Sequence, residues 1–222
     1  MTDDSSVSTA ERLNHLLASA GLDSLDSVTS ARFEGYCALL LRWNARMNLT
    51  AIRDVEGILS RHFVESIACA RALPKGIATL LDFGSGAGFP GIPIALCRAE
   101  IAVTLAESQG KKSAFLREAV RALGIPAIVH SGRAEILMSQ FDCVTLRAVD
   151  RMGQAVETAA KLVATNGWLA LMTTVAEFAE LQSKIGTGWV WRDRISPPGS
   201  EARVLALGRK DALEGREHTT IS

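Results

Sequence analysis

Four glycines follow an aspartate in a short stretch of this sequence, DFGSGAGFPG over residues 82–91. They are Gly84, Gly86, Gly88 and Gly91. Backbone without side chains can pass close to a ligand, and N–H groups at the start of a following helix can point at that ligand. One glycine would be enough for a tight turn, so the four together predict a loop that binds a ligand.

Two classes of ligand fit this loop. Asp82 stands two residues before the first glycine, which is typical of loops that bind S-adenosylmethionine, while residues 86–91 match the dinucleotide pattern G-x-G-x-x-G. Glu107 ends the next apolar run and could accept hydrogen bonds from ribose hydroxyls with either ligand. No Gly-Lys-Ser/Thr follows the glycines, so a nucleoside triphosphate is not expected. The methyl donor is favoured, since the chain ends in a hairpin and leaves no second domain to hold a hydride acceptor.

The elements around the loop predict an α/β fold. Short, continuous apolar runs suit parallel strands that are buried on both faces. They cover residues 78–83, 101–107, 127–132, 142–148 and 168–174. The helical segments 111–124 and 153–164 lie between strands and are predicted to stop at Gly124 and at Asn166-Gly167. Residues 189–195 and 203–209 have no helix between them, so we expect an antiparallel hairpin at the sheet edge.

The first third of the chain is predicted to be helical. Helices are expected over residues 8–20, 30–46 and about 54–73, the first with Ser8 as its cap and Glu11 completing a capping box. We therefore expect a helical extension, residues 1–73, on the substrate side of a catalytic domain, residues 74–222.

Composition indicates a soluble protein with one main core. The chain has 222 residues, 48% of them hydrophobic, and its net charge is zero. Residues 1–31 carry five acids, Asp3 and Asp4 among them, against one arginine, whereas residues 32–133 carry 13 Lys or Arg against 8 acids. The N-terminus lacks the features of a secretory signal, so a cytoplasmic location is expected. The four cysteines are scattered singly and are expected to be core residues.

Six separated stretches together resemble one family. They are WNARMNLTAIRD (43–54), RHFVESI (61–67), LLDFGSGAGFPGIPIAL (80–96), ESQGKK (107–112), SGRAEI (131–136) and LRA (146–148). The family is the bacterial small-subunit ribosomal RNA guanine 7-methyltransferases, of the RsmG or GidB type. The resemblance implies a Rossmann-like class I methyltransferase fold with a mostly parallel seven-stranded sheet. It also implies transfer of a methyl group from S-adenosyl-L-methionine to nitrogen 7 of a guanine in 16S ribosomal RNA.

The resemblance also implies site residues. Gly84 and Phe89 match cofactor-contacting loop positions, Ala134 and Glu135 match a pair beside the adenine, and Arg147 matches an arginine after the fourth strand. Asp82, Gly86 and Glu107 are added from the general pattern of methyl-donor sites. Phe89 could instead be pure packing, and Arg147 could pair with Asp150 or Glu135 as scaffold.

Arg147 is also the expected catalytic residue. It could hold the methionine carboxylate of the cofactor or a phosphate of the RNA. Ring nitrogen 7 of guanine has a lone pair and no proton to lose, so no general base is required and catalysis should rest on placement. His62 could face the guanine, but a structural histidine bound to backbone is the favoured interpretation.

The expected partner is 16S ribosomal RNA or the small ribosomal subunit, with no membrane, no metal ion and a monomeric chain. Basic residues are candidates for the phosphate-facing surface. They are Arg42, Arg46, Arg53, Arg61, Lys111, Lys112, Arg117 and Arg121. Trp43 is expected in the core rather than as a platform for a base.

Two positions depart from the family pattern. Met172-Thr173-Thr174 stands where the family usually has Lys-Gly, and Glu65 stands where an aspartate is usual. Two alternatives stay open at this point. One is an NAD-dependent oxidoreductase, and the other is an assembly factor that binds ribosomal RNA and has lost methyl transfer.

Overall fold

The computed structural model describes residues 7–212, which form a seven-stranded sheet and the helices packed on it. Asp3 and Asp4 of the acidic N-terminal stretch lie outside the described residues, as do the last ten residues of the predicted catalytic domain.

The seven strands confirm the predicted sheet. They are β1 Thr79–Phe83, β2 Ala102–Glu107, β3 Ile128–Ser131, β4 Phe141–Arg147, β5 Val163–Thr174, β6 Trp189–Trp191 and β7 Arg203–Lys210. Their order is β3-β2-β1-β4-β5-β7-β6. The first five run parallel, while β7 pairs antiparallel with both β5 and β6. The sheet is therefore mostly parallel with a C-terminal antiparallel pair, as predicted.

Neighbouring residues of the central strands are buried on opposite faces of the sheet. Leu80 of β1 belongs to one hydrophobic cluster and Leu81 to the other. Both are fully buried, which explains why the parallel strands read as continuous apolar runs.

Eight α-helices were found among the described residues. They are α1 Thr9–Ser19, α2 Ser27–Asn44, α3 Val55–Gly57, α4 Glu65–Ala72, α5 Gly91–Cys97, α6 Gly110–Leu123, α7 Met152–Leu162 and α8 Val175–Ile185. A π-helical segment, Ile58–Val64, joins α3 to α4 without a break. Ser8 caps α1 with Glu11 in the predicted capping box, and Gly124 ends α6 in the left-handed conformation.

The helices of residues 9–72 share their core with the sheet. Phe33 and Tyr36 of α2 and Phe63 of the π-helical segment are buried in the same cluster as Leu80 of β1 and Phe115 of α6. The predicted division at residue 73 therefore does not separate two hydrophobic cores, and it stays a prediction about function.

The predicted end of the helix before β5 is wrong. The helix α7 stops at Leu162, and β5 begins at Val163, which pairs with Phe141. Asn166 and Gly167 form an irregularity within β5, where the register with β4 shifts. Asn166 has a φ of 63°, and a side chain on Gly167 would meet the Asp142 carbonyl at 2.9 Å. The pair breaks regular pairing and does not cap a helix.

Two further findings concern the whole described part of the chain. None of its helices combines the length and the apolar character that a membrane span requires. The four cysteines are free thiols, and Cys37, Cys69 and Cys143 are buried, as expected for core residues.

Candidate functional site

A cavity of about 630 Å³ opens at the carboxyl edge of the parallel strands. Its walls come from the glycine loop after β1, the end of β2, the turn after β3 and the loop after β4. The start of α6 and the start of α7 also line it, as do Leu49, Thr50 and His62 of residues 9–72, called the helical segment below. Strand carboxyl ends are where ligands bind in this kind of sheet.

The glycines of the loop have two different roles. Gly84 and Gly86 line the cavity, with φ angles of 71° and 58° that a side chain would strain. Gly88 and Gly91 do not line it. A Cβ atom on Gly88 would lie 2.5 Å from Ile92, and one on Gly91 would meet Leu105. Only the first two glycines bring bare backbone to the cavity, while the other two make room for packing.

Asp82 holds the loop from beneath and does not line the cavity. Its carboxylate accepts hydrogen bonds from the Thr145 hydroxyl at 2.7 Å and the Gly91 N–H at 3.2 Å. The side chain is buried, and burial raises its pKa to about 6. The cofactor contact predicted for Asp82 stays a prediction, and the position of the side chain gives it a structural role.

Glu107 faces the cavity from the end of β2. Its Oε2 accepts the Gly86 N–H at 2.9 Å, and its Oε1 accepts the Gln109 N–H at 2.7 Å. Each carboxylate oxygen has two acceptor sites, so one on each remains for a ligand. Two adjacent acceptors of this kind suit the two hydroxyl groups of a diol.

Ala134 and Glu135 lie together on the cavity wall, in a short 3₁₀ helix over Ala134–Ile136. Ala134 is buried, whereas Glu135 is exposed. The Gly132 N–H donates to the Glu107 carbonyl at 3.1 Å, which ties this turn to the end of β2. The pair is therefore next to the carboxylate that could hold a diol.

Phe89 both lines the cavity and packs in the core. Its ring stacks on the His62 ring at a centroid distance of 4.5 Å and lies 5.4 Å from Tyr36. The Tyr36 hydroxyl donates to the Ala87 carbonyl at 2.5 Å. Aromatic packing therefore fixes the far end of the glycine loop to the helical segment.

Arg147 lines the cavity, and its guanidinium is bound to the helical segment. Its Nη2 donates to the Glu65 carboxylate at 3.0 Å and to the Arg61 carbonyl at 2.6 Å. The predicted scaffold partners, Asp150 and Glu135, are wrong: the ion pair forms with Glu65.

Glu65 joins a second cation to this network. Its Oε1 lies 2.6 Å from Nη1 of Arg203 at the start of β7, and its side chain is only 2% exposed. Burial raises the pKa of Glu65, which Arg147 and Arg203 oppose. Two guanidinium groups therefore share one buried carboxylate beside the cavity.

His62 is not the backbone-bound histidine that we favoured from the sequence. Its Nε2 lies 2.8 Å from the Thr50 hydroxyl and its Nδ1 lies 3.2 Å from Nη2 of Arg147. Burial, reinforced by Arg147 and Arg61, lowers its pKa to about 3. The ring is therefore neutral and faces the cavity between two side chains.

Sequence reasoning missed three parts of the wall. Thr50 is one, and the signal for it was its place in the family-like stretch of residues 43–54 beside other polar residues. The start of α7, with Gln154, Ala155 and Thr158, is another, and the loop Ala148–Arg151 after β4 is the third. Ala148 and Arg151 have φ angles of 48° and 54°, which are uncommon for residues with side chains. Such strained backbone next to a cavity is often found at functional sites.

The residues that depart from the family pattern have structural partners. The Thr174 hydroxyl accepts the Glu177 N–H at the start of α8, and the Thr173 hydroxyl donates to the Glu177 carboxylate at 2.7 Å. Met172 and Thr173 are buried. The threonines therefore cap a helix at the end of β5.

The eight basic candidates for an RNA surface are exposed, except that Lys112 is half-buried and lines the cavity. Arg42 pairs with Glu118 at 2.5 Å, which also accepts the indole N–H of Trp43. Trp43, which was expected in the core, packs edge-on against Phe115 and is half-buried at the border of the core. Within residues 7–212, no cluster of three or more His, Cys, Asp or Glu side chains could hold a metal ion.

Comparisons with known proteins identify relatives of the chain. Residues 29–186 match the family model described as GidB, rRNA small subunit methyltransferase G. A protein named ribosomal RNA small subunit methyltransferase G from Stenotrophomonas maltophilia (strain K279a) is 40% identical, with 86% of this chain and 90% of that protein aligned. One of the same name from Neisseria meningitidis (serogroup A) is 38% identical over 90% of this chain and 98% of its own.

Solved structures share the fold at lower identity. An O-methyltransferase from Bacillus cereus, in complex with SAH, has a TM-score of 0.55 at 15% identity, covering 80% of this chain and 91% of that one. TYW2 of P. horikoshii, in complex with MeSAdo, has a TM-score of 0.55 at 16% identity, covering 68% of this chain and 63% of that one. Both likenesses concern the fold alone, which is the one predicted.

Proposed function

This chain belongs to the ribosomal RNA small subunit methyltransferase G family, and we propose that it transfers a methyl group from S-adenosyl-L-methionine to nitrogen 7 of a guanine in 16S ribosomal RNA. The membership confirms the resemblance that the six sequence stretches indicated. The observation that carries the proposal is the cavity at the strand carboxyl edge, which the glycine loop, Glu107 and Arg147 all line.

The residues of the cavity suit S-adenosylmethionine. Glu107 offers acceptors for the ribose hydroxyls, and Ala134 and Glu135 adjoin it where the adenine would lie. Gly84 and Gly86, which line the cavity, would bring bare backbone close to the methionine part. A volume of about 630 Å³ is within the range of roughly 300–1,000 Å³ that is usual for small-ligand sites. We propose that Phe89 separates this ligand from the core.

The protein has to supply placement rather than proton transfer. S-adenosylmethionine, when bound, supplies a methyl carbon on a positively charged sulfur, and nitrogen 7 of guanine has a lone pair and no proton to lose. The neutral His62 ring and the permanently charged Arg147 are both unsuited to remove a proton by titrating near neutral pH. Holding two reactants in line can lower a barrier by about 7–11 kcal/mol.

Arg147 is proposed as the catalytic residue that contacts the ligands. Its guanidinium is held by Glu65 and by the Arg61 carbonyl, and it has further N–H groups that can reach the cavity. Those groups suit the methionine carboxylate or an RNA phosphate. Because these N–H groups belong to one planar guanidinium, Arg147 can link the cofactor and the substrate.

The helical segment is proposed to select the RNA. The basic residues of 42–61 and of α6 are exposed, apart from the half-buried Lys112, which lines the cavity. Such side chains suit phosphate groups, and phosphate contacts position an RNA without reading its sequence. The substrate is 16S ribosomal RNA, free or in the small ribosomal subunit. We further propose that the chain acts in the cytoplasm as a monomer and without a metal ion.

Methyl transfer to ribosomal RNA tests the proposal. Small subunits and naked 16S RNA from cells that lack this gene are incubated with the protein and methyl-labelled S-adenosylmethionine. We expect one labelled methyl per 16S RNA, located at nitrogen 7 of a guanine by mass spectrometry of nuclease fragments. Glu107→Ala should abolish the transfer, while Glu180→Ala on the exposed face of α8 serves as the control.

Label in no RNA, with normal binding of S-adenosylmethionine by calorimetry, would favour the assembly factor that lacks transfer. Label on a base atom other than nitrogen 7 would overturn the proposed chemistry but not the family.

A further inference from the structure

We propose that the Thr50 hydroxyl donates a hydrogen bond to the carbonyl oxygen O6 of the target guanine and so selects guanine over adenine. The inference rests on the proposed function, because it assumes that a guanine enters this cavity. It depends on the positive charge of Arg147, on the tautomer of His62 that this charge favours, and on the donors that surround the Thr50 hydroxyl.

The first step fixes the tautomer of His62. Its Nδ1 lies 3.2 Å from Nη2 of Arg147, a group that carries only donors. An Nδ1–H would point its positive end at a cation, whereas an Nδ1 lone pair is attracted to it. The ring, kept neutral by burial, therefore carries its hydrogen on Nε2.

The second step fixes the role of Thr50. The protonated Nε2 of His62 donates to the Thr50 hydroxyl oxygen at 2.8 Å, and the Ile52 N–H donates to the same oxygen at 3.2 Å. A hydroxyl has two acceptor sites and one hydrogen to donate. Both acceptor sites are filled, so Thr50 can act toward a ligand only as a donor.

The third step identifies the acceptor for the hydrogen of the Thr50 hydroxyl. Thr50 lines the cavity and is only partly buried, and its two bonds in the described part of the chain are both ones that it accepts. The acceptor for its hydrogen must therefore come from water or a ligand. Thr50 and His62 line the cavity from the helical segment, whereas Glu107 and the glycines that suit the cofactor line it from the strand edge. The base of the substrate is the ligand that approaches from their side.

The last step is base identity. Guanine presents the acceptor O6 next to nitrogen 7, whereas adenine presents an amino group, a donor, at the same place. A residue that can only donate binds the first and opposes the second. Nitrogen 7 stays free for the methyl group, since the hydroxyl engages its neighbour.

The experiment pairs a change in the enzyme with a change in the base. The target guanine, first located by mass spectrometry, is replaced by 2-aminopurine, which keeps nitrogen 7 and lacks O6, in a ligated 16S RNA. The enzymes are wild type, Thr50→Val and Thr50→Ser. The value of kcat/KM for methyl transfer is measured for each combination, with calorimetry of S-adenosylmethionine binding.

We expect Thr50→Val to lower kcat/KM on guanine about tenfold to hundredfold, as for loss of one partner of a buried hydrogen bond. Replacing the guanine by 2-aminopurine should lower the kcat/KM of wild type by a similar factor. The same replacement should lower the kcat/KM of Thr50→Val only slightly. Thr50→Ser should stay close to wild type on both RNAs. Binding of S-adenosylmethionine should be the same in all three proteins.

Three results would overturn the inference. The first is that 2-aminopurine lowers the kcat/KM of wild type and of Thr50→Val by the same factor. The effects of the two changes would then be independent, and the hydroxyl would not contact O6. A loss of S-adenosylmethionine affinity equal to the loss in kcat/KM would show that the hydroxyl faces the cofactor. In contrast, absence of transfer by wild type to guanine RNA would refute the proposed function itself. Even if Thr50→Val folds poorly, undiminished transfer by wild type to the 2-aminopurine RNA would overturn the inference, because that RNA lacks O6 and the protein is unchanged.

Discussion

At the scale of single residues, the site depends on buried charges that are held by ion pairs. Glu65 is the clearest case, since its carboxylate is held between Arg147 and Arg203 and is nearly inaccessible. A buried charge is costly unless its partners stay in place. The orientation of Arg147 therefore depends on a residue that does not line the cavity.

Replacing Glu65 by glutamine should be strongly destabilising. The change leaves two guanidinium groups without their shared counter-charge, and removing one partner of a buried pair typically costs about 3–5 kcal/mol. We expect a loss of about that size in the free energy of unfolding measured with urea, together with slower methyl transfer. The control is Glu180→Gln in the exposed pair with Lys184, which should change stability by less than about 0.5 kcal/mol. Equal effects of both variants would contradict the network.

Asp82 should make stability depend on pH in an unusual direction. Its pKa is about 6 in the folded protein and 3.8 in its ordinary state, so the folded protein binds the proton more tightly. The stability that it contributes is therefore present at low pH and is lost as the pH rises through 6.

Asp82→Asn removes this titration. The unfolding free energy of wild type minus that of Asp82→Asn should fall by about 2 kcal/mol between roughly pH 4 and pH 7. Urea denaturation of both proteins at several pH values measures it. A difference that rises with pH would show that the hydrogen bonds from Thr145 and Gly91 outweigh burial.

At the scale of elements, helix ends and irregular turns place the side chains. The π-helical segment Ile58–Val64 carries His62 toward the cavity and leads directly to Glu65. π-helical turns are rare in proteins as a whole, and those that occur are often found at functional sites. The loop Ala148–Arg151 after β4 also brings side chains to the cavity, and its turn depends on the positive φ angles of Ala148 and Arg151.

The end of β5 gives a prediction about an element. Thr174 caps α8 in a capping box with Glu177, and loss of such a cap costs about 1 kcal/mol. We expect Thr174→Ala to lower stability by that amount in urea denaturation and to leave methyl transfer unchanged. Ser183→Ala inside α8 is the matched control and should be near neutral. Lost transfer at unchanged stability would instead assign the β5 end to the substrate.

At the scale of the whole molecule, the helical segment and the sheet form one core. Tyr36 and Phe63 pack on Phe89, and Tyr36 binds the Ala87 carbonyl of the glycine loop. The helical segment and the glycine loop are thus in direct contact. Unfolding of the helices would remove support from the loop.

The shared core predicts a single unfolding transition. Circular dichroism and the fluorescence of Trp43, isolated by replacing the other tryptophans with phenylalanine, should report coincident urea midpoints. A chain of residues 74–222 should fail to fold, because it would expose Phe89, Ile92 and Phe115. Two separated transitions, or a folded fragment, would instead support independent domains.

The sequence by itself determined the sheet, the glycine loop and the family. Continuous apolar runs predict buried parallel strands because both of their faces are covered, and glycines mark positions where a side chain cannot fit. Both are local properties of the chain. The same reasoning located Gly84, Gly86 and Glu107 on the cavity wall.

Only the tertiary structure decided which side chains meet. Arg147 binds Glu65, 82 positions away in the chain, and not the nearby Asp150. His62 lies between Thr50 and Arg147, and Asp82 supports the loop from below. These pairings depend on how helices and strands pack over long separations, and ion pairs and hydrogen bonds leave no periodic pattern in the sequence. Spacing can therefore name the residues of a site, but folding selects their partners and with them their protonation and their role.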